Sequence, residues 1–201
     1  MAELTVVCVS YQRYGNIPVL IHSFLAQTLQ NFRILVMHDG PDARMRDILL
    51  EFRERHPAVV DFRFSDVRHN DWGHSNRAAG LQLVDTPFVL LTNDDNYYCP
   101  LFCEWMFNAI HENKADIAMC DMLHSHNTPG GRPQPPYRYF ETGPKRLSLD
   151  IGCFIARTEL AKRAGFRDKS HDGDATYFED LLRVGGEVRF TKVPHALFVH
   201  N

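Results

Sequence analysis

Two adjacent carboxylates, Asp94 and Asp95, follow the apolar run at residues 88–91 and have amide side chains on both sides. The run has the length and the bulky composition of a buried strand, and ligands of an open α/β sheet bind beyond the carboxyl ends of its strands. Neighbouring carboxylates repel each other unless a cation or a basic group joins them. Hard oxygen ligands of this kind suit Mg²⁺ or Mn²⁺, ions that commonly hold a diphosphate. Taken alone, the stretch is explained equally well as a polar turn after a strand.

Polar residues also follow the first two predicted strands. Ser10, Tyr11 and Arg13 come after the strand at residues 4–9, and Asp39 comes after the next strand. An aromatic ring can carry a base, and a carboxylate can accept the imide N–H of uracil. Tyr11 or Asp39 alone is explained as a structural residue. Their arrival at one edge of the sheet, together with Asp94 and Asp95, favours a nucleotide site.

Strands and helices alternate along the chain in the order that predicts an α/β protein with a mostly parallel sheet covered by helices. A segment at residues 128–136 interrupts this order with proline and glycine, and it predicts a long loop. The predicted strands are residues 4–9, 32–37, 60–64, 88–91, 116–120 and 193–199, with further α/β signals at 151–155. The predicted helices are residues 18–27, 42–55, 76–84, 101–113, 158–164 and 175–184.

Length and composition limit the possible classes of protein. The 201 residues, with 44% hydrophobic and 23% charged side chains, predict a single globular domain over residues 1–201. A formal net charge of -3 argues against a general nucleic-acid binder. The sequence has neither an apolar run long enough for a transmembrane helix nor the pattern of a signal peptide. Five scattered cysteines predict free thiols in a reducing cytoplasm rather than a zinc site.

Several short motifs occur in a characteristic order. They lie at residues 9–13, 23–28, 36–40 and 92–96, with Gly73 and Arg77 between the third and the fourth and Gly165-Phe166 near the end. This ordered series resembles the family 2 inverting glycosyltransferases of the GT-A fold, in particular the SpsA-like spore-coat polysaccharide type. The likeness extends over nearly the whole chain. It implies a mostly parallel central sheet flanked by helices, with a nucleotide-sugar half at about residues 1–98 and an acceptor half at 99–201.

The resemblance also implies residue roles. Tyr11 would stack on or flank the base, with Ser10 and Arg13 in the same nucleotide site, and Asp39 would recognise uracil. Arg77 would lie near the base or the diphosphate, and Asp94 near the ribose or the metal. Asp95 would be the principal ligand of Mn²⁺ or Mg²⁺. The chain departs from the commonest family pattern at Gln12 and His38, where the family has asparagine and aspartate.

Inversion by direct displacement requires a base that removes a proton from the acceptor hydroxyl. Four acidic residues of the second half are candidates: Asp172, Asp174, Glu179 and Asp180. In the family the base follows a Gly-Phe-Asp-Glu segment, and Asp174 lies at the corresponding distance beyond Gly165-Phe166. We therefore predict Asp174 as the base, with Asp172 as the second choice. Either residue is alternatively the N-cap of the following helix.

Other residues have open assignments. His200 follows an apolar strand and is either a further metal ligand, as in some related enzymes, or an ordinary C-terminal histidine. His124 and His126 are expected at the surface rather than in the site. Trp72 either lines a sugar pocket or anchors its loop. The loop at residues 129–139 is expected near the acceptor.

These observations predict a metal-dependent inverting glycosyltransferase that moves a sugar from a UDP-sugar, or a dTDP-sugar, to a hydroxyl acceptor in polysaccharide or glycoconjugate synthesis. A sugar-phosphate nucleotidyltransferase is the alternative enzyme, but residues 10–15 lack the glycine-rich basic loop that it requires. A glycosyltransferase-like module that binds nucleotide or glycan without turnover is the non-enzymatic alternative. The acidic residues at 94–95 and 172–180 argue against that alternative.

Overall fold

The computed structural model describes residues 2–124 and 137–200. Within these residues nine strands form one sheet, in the order β3-β2-β1-β4-β8-β6-β9-β5 with β7 paired to β6. The strands are β1 (Leu4–Ser10), β2 (Phe32–His38), β3 (Val60–Phe64), β4 (Phe88–Asn93), β5 (Tyr97–Tyr98), β6 (Ile117–His124), β7 (Arg138–Phe140), β8 (Phe154–Arg157) and β9 (Phe190–His200). The helices are α1 (Asn16–Leu25), α2 (Ala43–Arg55), α3 (His74–Gln82), α4 (Phe102–Asn113), α5 (Thr158–Ala164) and α6 (Gly173–Gly185), with a 3₁₀ turn at Ile151–Cys153.

The first half of the sheet is parallel. Strand β1 pairs with β2 on one side and with β4 on the other, so that Leu4 lies opposite both Phe32 and Phe88. Every residue of β1 is buried, as expected for a strand covered on both faces. The chain proceeds from β1 outward to β3 and then returns to β4. The carboxyl ends of β1 and β4 therefore meet at the point where the strand order reverses, which is where open α/β sheets bind ligands.

The second half of the sheet is mixed. Strand β8 pairs antiparallel with β4 and β6, whereas β9 runs parallel to β6. The short strand β5 pairs antiparallel with the end of β9, with Tyr97 opposite Val199. Because β5 begins two residues after Asp95, this pairing brings the end of β9 and His200 to the acidic pair. The predicted fold class, an α/β sheet flanked by helices, is confirmed.

Several element boundaries differ from the predicted ones. Helix α1 begins at Asn16 rather than at residue 18, because Pro18 fits in a first turn whose N–H groups need no helical partner. Helix α3 begins at His74, after Gly73 in a left-handed conformation with φ of +81°. Strand β4 continues to Asn93 because Asn93 still pairs with Val9 of β1.

Helix α3 lies unusually close to the sheet. A Cβ atom added to Gly80 would lie 2.7 Å from Cγ1 of Val7 and 2.9 Å from Cγ of Met37. This close approach sets the height of α3 above β1 and β2, and therefore the position of its side chains at the carboxyl edge of the sheet. In the described part of the chain, no helix combines the length and the apolar character that crossing a bilayer requires. All five cysteines are free thiols, as predicted.

Candidate functional site

The guanidinium of Arg13 joins the two carboxylates that follow β4. Its Nη1 donates to Oδ1 of Asp94 at 3.1 Å and also contacts Oδ2 of Asp95. Asp94 is 3% exposed, and burial raises its pKa to about 6, although the Ser10 hydroxyl and Arg13 partly offset that effect. Asp94 therefore loses its proton only at about pH 6. The positive charge of Arg13 lies between Asp94 and Asp95 and reduces their mutual repulsion.

The acidic pair fits a divalent ion. Its carboxylate oxygens are the hard ligands that Mg²⁺ and Mn²⁺ prefer, and Arg13 holds a positive charge at that position. Within residues 2–124 and 137–200, no three histidine, cysteine or acidic side chains are arranged as a metal cluster. Mg²⁺ is commonly held by one or two carboxylates together with water and substrate phosphates, and Asp94 and Asp95 could supply the carboxylates here.

Tyr11, the predicted base platform, lies at the end of β1 and is partly exposed. The guanidinium of Arg68 covers one face of the Tyr11 ring, with its Cζ atom 3.9 Å from the ring centroid. Arg68 is held in turn by Oδ1 of Asn70, which accepts from its Nη2 at 2.8 Å. A base that stacks on Tyr11 must therefore use the other face of the ring or displace Arg68.

Asp39 is buried, and its carboxylate binds the segment that follows β3. Oδ1 accepts from the backbone N–H of His69 at 2.9 Å and from the side-chain amide of Asn76 at 3.0 Å. Oδ2 accepts from the backbone N–H of Asn70 at 3.0 Å. A carboxylate has about four acceptor positions, so these three bonds leave one on Oδ2 for a ligand N–H. Asp39 thus holds the segment after β3 in place while one acceptor position of its carboxylate stays available.

His38, one of the two departures from the pattern that the chain resembles, is fully buried and directly precedes Asp39. Its Nδ1–H donates to the carbonyl of Gly40 at 2.8 Å, and its Nε2 accepts from the backbone N–H of Gln12 at 3.3 Å. Both ring nitrogens therefore bind backbone groups. The His38 side chain thus has a structural role, because it links the end of β2 to the segment after β1. Gln12, the other residue that departs from the pattern, lies in that segment and has a left-handed φ of +55°.

Arg77 connects three elements at the centre of the site, although it is 1% exposed. Its Nη1 donates to the carbonyl of Trp72 at 2.9 Å and to Nδ1 of His74 at 3.1 Å. Its Nη2 binds Oδ1 of Asn93 at the end of β4. The resemblance implies a position near the base or the diphosphate for Arg77, and the bonds described here join it to Trp72, His74 and Asn93. The buried guanidinium is a fixed positive charge between α3, β4 and α6.

Asp174 lies in the first turn of α6 and faces this fixed charge. Its Oδ1 is 3.6 Å from Nη1 of Arg77 and 3.8 Å from Nδ1 of His74. Burial raises the pKa of Asp174 above its ordinary value, and the Arg77 guanidinium partly offsets this. The pKa of His74 is lowered by burial and by Arg77, and its Nε2–H donates to the carbonyl of Ser170 at 2.9 Å. The imidazole is therefore neutral, and Arg77 is the cation beside Asp174.

The other three candidate bases have different surroundings. Asp172 occupies the N-cap position of α6, but its side chain makes no capping bond and lies 3.5 Å from Arg146. Glu179 is bound by the same arginine at 2.8 Å. Asp180 is buried between Arg167 and Arg183, which lower the pKa of its carboxyl. Among the four, Asp174 is the one placed beside Arg77 and His74.

His200 lies at the end of β9 near the acidic pair. Its Nδ1–H donates to Oδ1 of Asn96 at 2.9 Å, and Oδ2 of Asp150 is 3.6 Å from the same nitrogen. The His124 ring packs against the His200 ring with centroids 4.7 Å apart, so the predicted surface position of His124 is wrong in part: the residue is half-buried. His126 and most of the predicted loop near the acceptor lie outside the described residues.

Asp150 is a site residue that the sequence analysis missed. Its Oδ1 accepts from the backbone N–H of Gly152 at 2.8 Å and begins the 3₁₀ turn. The negative charge of Asp150 also helps to raise the pKa of Asp174, which places the two carboxylates in one electrostatic environment. An aspartate before a short apolar turn predicts only a cap, so the sequence carries no signal for this second contribution.

Two of the cavities in the described part of the chain lie at opposite ends of the sheet. One, of about 250 Å³, borders Asp94 and Asp95 and is lined further by Gly15, Tyr97 and Tyr137, among others. The other, of about 500 Å³, is larger but is lined by residues at the amino ends of β1 to β3, including Thr5 and Arg33. The smaller cavity adjoins the carboxylates at the carboxyl edge of the sheet.

Comparison with solved structures identifies the fold. The chain superposes on S. aureus TarS residues 1–349 in complex with UDP with a TM-score of 0.74 and 20% identity, covering 100% of this chain and 60% of that one. It superposes on the mannosyltransferase PcManGT from Pyrobaculum calidifontis, in complex with GDP-Man and Mn²⁺, with a TM-score of 0.74 and 12% identity, covering 98% and 56%. The fold is the GT-A fold of glycosyltransferases.

Sequence comparison gives the family. An uncharacterized glycosyltransferase of Haemophilus influenzae is 25% identical over 112 residues, which are 55% of this chain and 35% of that protein. The chain thus spans about a third of this curated relative and about 60% of TarS 1–349. The profile of glycosyl transferase family 2 matches residues 5–171. This match includes the acidic pair, Arg77 and Asp39, and the chain belongs to glycosyl transferase family 2.

Proposed function

We propose that this protein is a metal-dependent inverting glycosyltransferase that uses a UDP-sugar or a dTDP-sugar as donor and a hydroxyl group as acceptor. The observation that carries the proposal is the acidic pair, Asp94 and Asp95, at the switch point of the sheet with a cation between its members. Its function there is to hold a divalent ion, Mn²⁺ or Mg²⁺, and through it the donor diphosphate. When bound, such an ion stabilises the negative charge that develops on the leaving diphosphate.

Tyr11 and Asp39 are the proposed base-recognition residues. The free acceptor position on Oδ2 of Asp39 suits the imide N–H that uracil and thymine share. TarS has been crystallised with UDP and with UDP-GlcNAc, and PcManGT with GDP-Man. These relatives support a nucleotide-sugar donor, and Asp39 favours a pyrimidine with an imide. Ser10, Arg13 and Asp94 would line the same donor site.

Asp174 is the proposed base. It would accept the proton of the acceptor hydroxyl while that oxygen forms a bond to C1 of the donor sugar and the bond from C1 to the diphosphate oxygen breaks, with inversion at C1. Burial raises the pKa of the Asp174 carboxyl and so makes the carboxylate more basic than an exposed one, and the positive charge of Arg77 partly offsets this by favouring the ionised form. The bonds of Arg77 to Trp72 and Asn93 keep that positive charge in place.

His200 is proposed as a further metal ligand. Donation of its Nδ1–H to Asn96 leaves the lone pair on Nε2 for a metal ion, and imidazole is an acceptable ligand of Mn²⁺. Asn96 directly follows Asp95, so the bond holds the ring near the principal ligand.

A thermal-shift experiment tests the donor site. UDP, dTDP, GDP and CMP are each added with and without Mn²⁺ to the wild type, to Asp95→Ala and to Asp47→Ala. The last variant removes an exposed carboxylate from α2 and serves as the matched control. A ligand that binds only the folded state raises the melting temperature.

We expect Mn²⁺-dependent stabilisation by UDP or dTDP that is lost in Asp95→Ala and kept in Asp47→Ala. The absence of a shift with all four nucleotides would overturn the proposal, and a shift with GDP alone would overturn its donor assignment.

A further inference from the structure

Trp72 is a large apolar side chain that the fold leaves in solvent. It is 65% exposed, so the alternative that it anchors its loop in the core is not the one the structure adopts. Its backbone has φ of +60°, a left-handed conformation that is rare and unfavourable for a bulky residue. The chain therefore bears a local conformational cost at Trp72 without burying the indole ring, a combination that is typical of functional sites.

The turn that carries Trp72 is firmly held. Oδ2 of Asp71 accepts from the backbone N–H of Ser75 at 3.0 Å and from its hydroxyl at 2.6 Å. The carbonyl of Trp72 accepts from Arg77, as described above, and a Cβ atom on Gly73 would lie 2.8 Å from Cγ2 of Val9. The backbone at Trp72, from which the indole ring projects, is thus held by α3 and β1.

The indole ring also belongs to the wall around Asp174. It packs edge-to-face with His171, with centroids 5.1 Å apart and an angle of 88°. His171 lies three residues before Asp174, and the preceding residue, Ser170, is bound to His74. The segments before α3 and before α6 therefore form one surface, with Asp174 and Arg77 within it and the Trp72–His171 pair at its exposed side.

We propose that Trp72 is the platform on which a pyranose ring of the acceptor stacks, so that an acceptor hydroxyl is presented to Asp174. The face of an indole ring carries negative charge density and attracts the polarised C–H groups of a sugar. A β-gluco-configured ring has its axial C–H groups on both faces and fits such a surface. An open-chain alditol lacks this face. The inference rests on the proposed function in that it assigns the acceptor class to the same Asp174 site.

Saturation-transfer NMR tests the platform directly. Methyl β-D-glucopyranoside, methyl N-acetyl-β-D-glucosaminide and D-glucitol are each added to protein that contains UDP and Mn²⁺. We expect saturation transfer to H1, H3 and H5 of the two pyranosides and little transfer to glucitol. In Trp72→Ala the pyranoside signals should fall by about fivefold, as expected for the loss of one stacking contact. Trp105→Phe changes the other tryptophan, on α4, and should keep them.

A second variant guards against misfolding. Trp72→Gly also removes the ring but relieves the left-handed backbone, because glycine adopts positive φ readily. Pyranoside signals that persist in Trp72→Gly or Trp72→Ala, or equal signals from glucitol, would overturn the platform. So would the absence of pyranoside signals from a wild type whose melting temperature rises with UDP and Mn²⁺. If pyranoside signals depend on Trp72 but no nucleotide shifts the melting temperature, the platform stands and the donor proposal fails.

Discussion

At the scale of single residues, the two arginines of the site differ in how freely they can move. Arg77 is 1% exposed and is bonded to three elements, whereas the side chain of Arg13 is 46% exposed and is bonded to the acidic pair. A buried guanidinium with several partners is costly to displace, but an exposed ion pair contributes little stability. Arg77 is therefore a permanent part of the site near Asp174, and Arg13 is a cation that a stronger one can replace.

Replacing Asp174 with asparagine should abolish proton removal and leave the donor site intact. We expect Asp174→Asn to lower the rate of sugar transfer by about 10²- to 10⁴-fold, the usual contribution of general base catalysis. The nucleotide-induced shift in melting temperature should stay at the wild-type value. Asp172→Asn is the matched control, because that carboxylate is exposed and paired with Arg146. Equal transfer rates in wild type and Asp174→Asn would identify another base.

Removing the positive charge of Arg13 should strengthen metal binding. In Arg13→Gln the acidic pair loses the Arg13 charge that competes with a metal ion, so the affinity for Mn²⁺ without nucleotide should rise by about fivefold, the equivalent of one partly exposed ion pair. Free Mn²⁺ can be measured by its electron paramagnetic resonance signal during a titration. Arg55→Gln, in an exposed pair with Glu51 on α2, should leave the affinity unchanged. A weaker affinity in Arg13→Gln would show that Arg13 assists the metal instead.

At the scale of elements, the closeness of α3 to the sheet positions Arg77 and the turn before it. Gly80 permits this approach because it has no side chain between the helix and Val7 or Met37. A helical glycine is normally less favourable than alanine by about 0.5–1 kcal/mol. Its presence on a fully packed face indicates that space, rather than helix propensity, determines the residue at this position.

Gly80→Ala should therefore destabilise the protein in spite of the better helix propensity of alanine. We expect a loss of about 1–3 kcal/mol in the free energy of unfolding, the usual cost of an overpacked core. Gly15→Ala is the control, since a Cβ atom there has no other atom within 4 Å. Urea denaturation of both variants measures the difference, and a Gly80→Ala protein as stable as the wild type would show that α3 shifts outward at little cost.

The strands of the sheet could be predicted from the sequence, whereas the contacts between distant segments could not. The apolar runs of β1, β2 and β4 are continuous because those strands are covered on both faces, and they were located to within two residues. The polar residues that follow each strand were placed correctly because parallel strands end at one edge. The partnership of Arg77 with Asn93 and Asp174, and the roles of His74 and Asp150, depend on contacts between distant segments. Such contacts leave no local pattern in the sequence.

At the scale of the whole molecule, the acidic pair couples pH to stability. The pKa of Asp94 is about 6 in the folded protein, above its ordinary value of 3.8. Between these values the folded state binds the proton more tightly than the unfolded state, so the contribution of Asp94 to stability decreases as the pH rises through this window. A metal ion reverses the preference, because it binds the ionised carboxylate and displaces the proton.

The stabilisation by Mn²⁺ should therefore increase with pH. We expect the rise in melting temperature on addition of Mn²⁺ to be small at about pH 5 and to reach its full value above about pH 7. Differential scanning fluorimetry across this range, with and without Mn²⁺, measures the effect. Asp47→Ala should follow the wild-type profile, whereas Asp94→Asn should flatten it. A Mn²⁺ effect that is equal at both ends of the range would mean that Asp94 does not bind the ion.

The pairing of β6 with β7 has a consequence for the design of new variants. His124 lies opposite Arg138, so the two ends of the intervening stretch are one strand spacing apart, about 5 Å. Tyr139 of β7 and Lys192 of β9 both bind Asp121 of β6, and these bonds hold the paired ends of β6 and β7 in the sheet. The free energy of closing a connection between such fixed ends changes only slowly with its length. Stretches of other lengths and compositions can therefore be grafted between His124 and Arg138 at little cost in the free energy of folding.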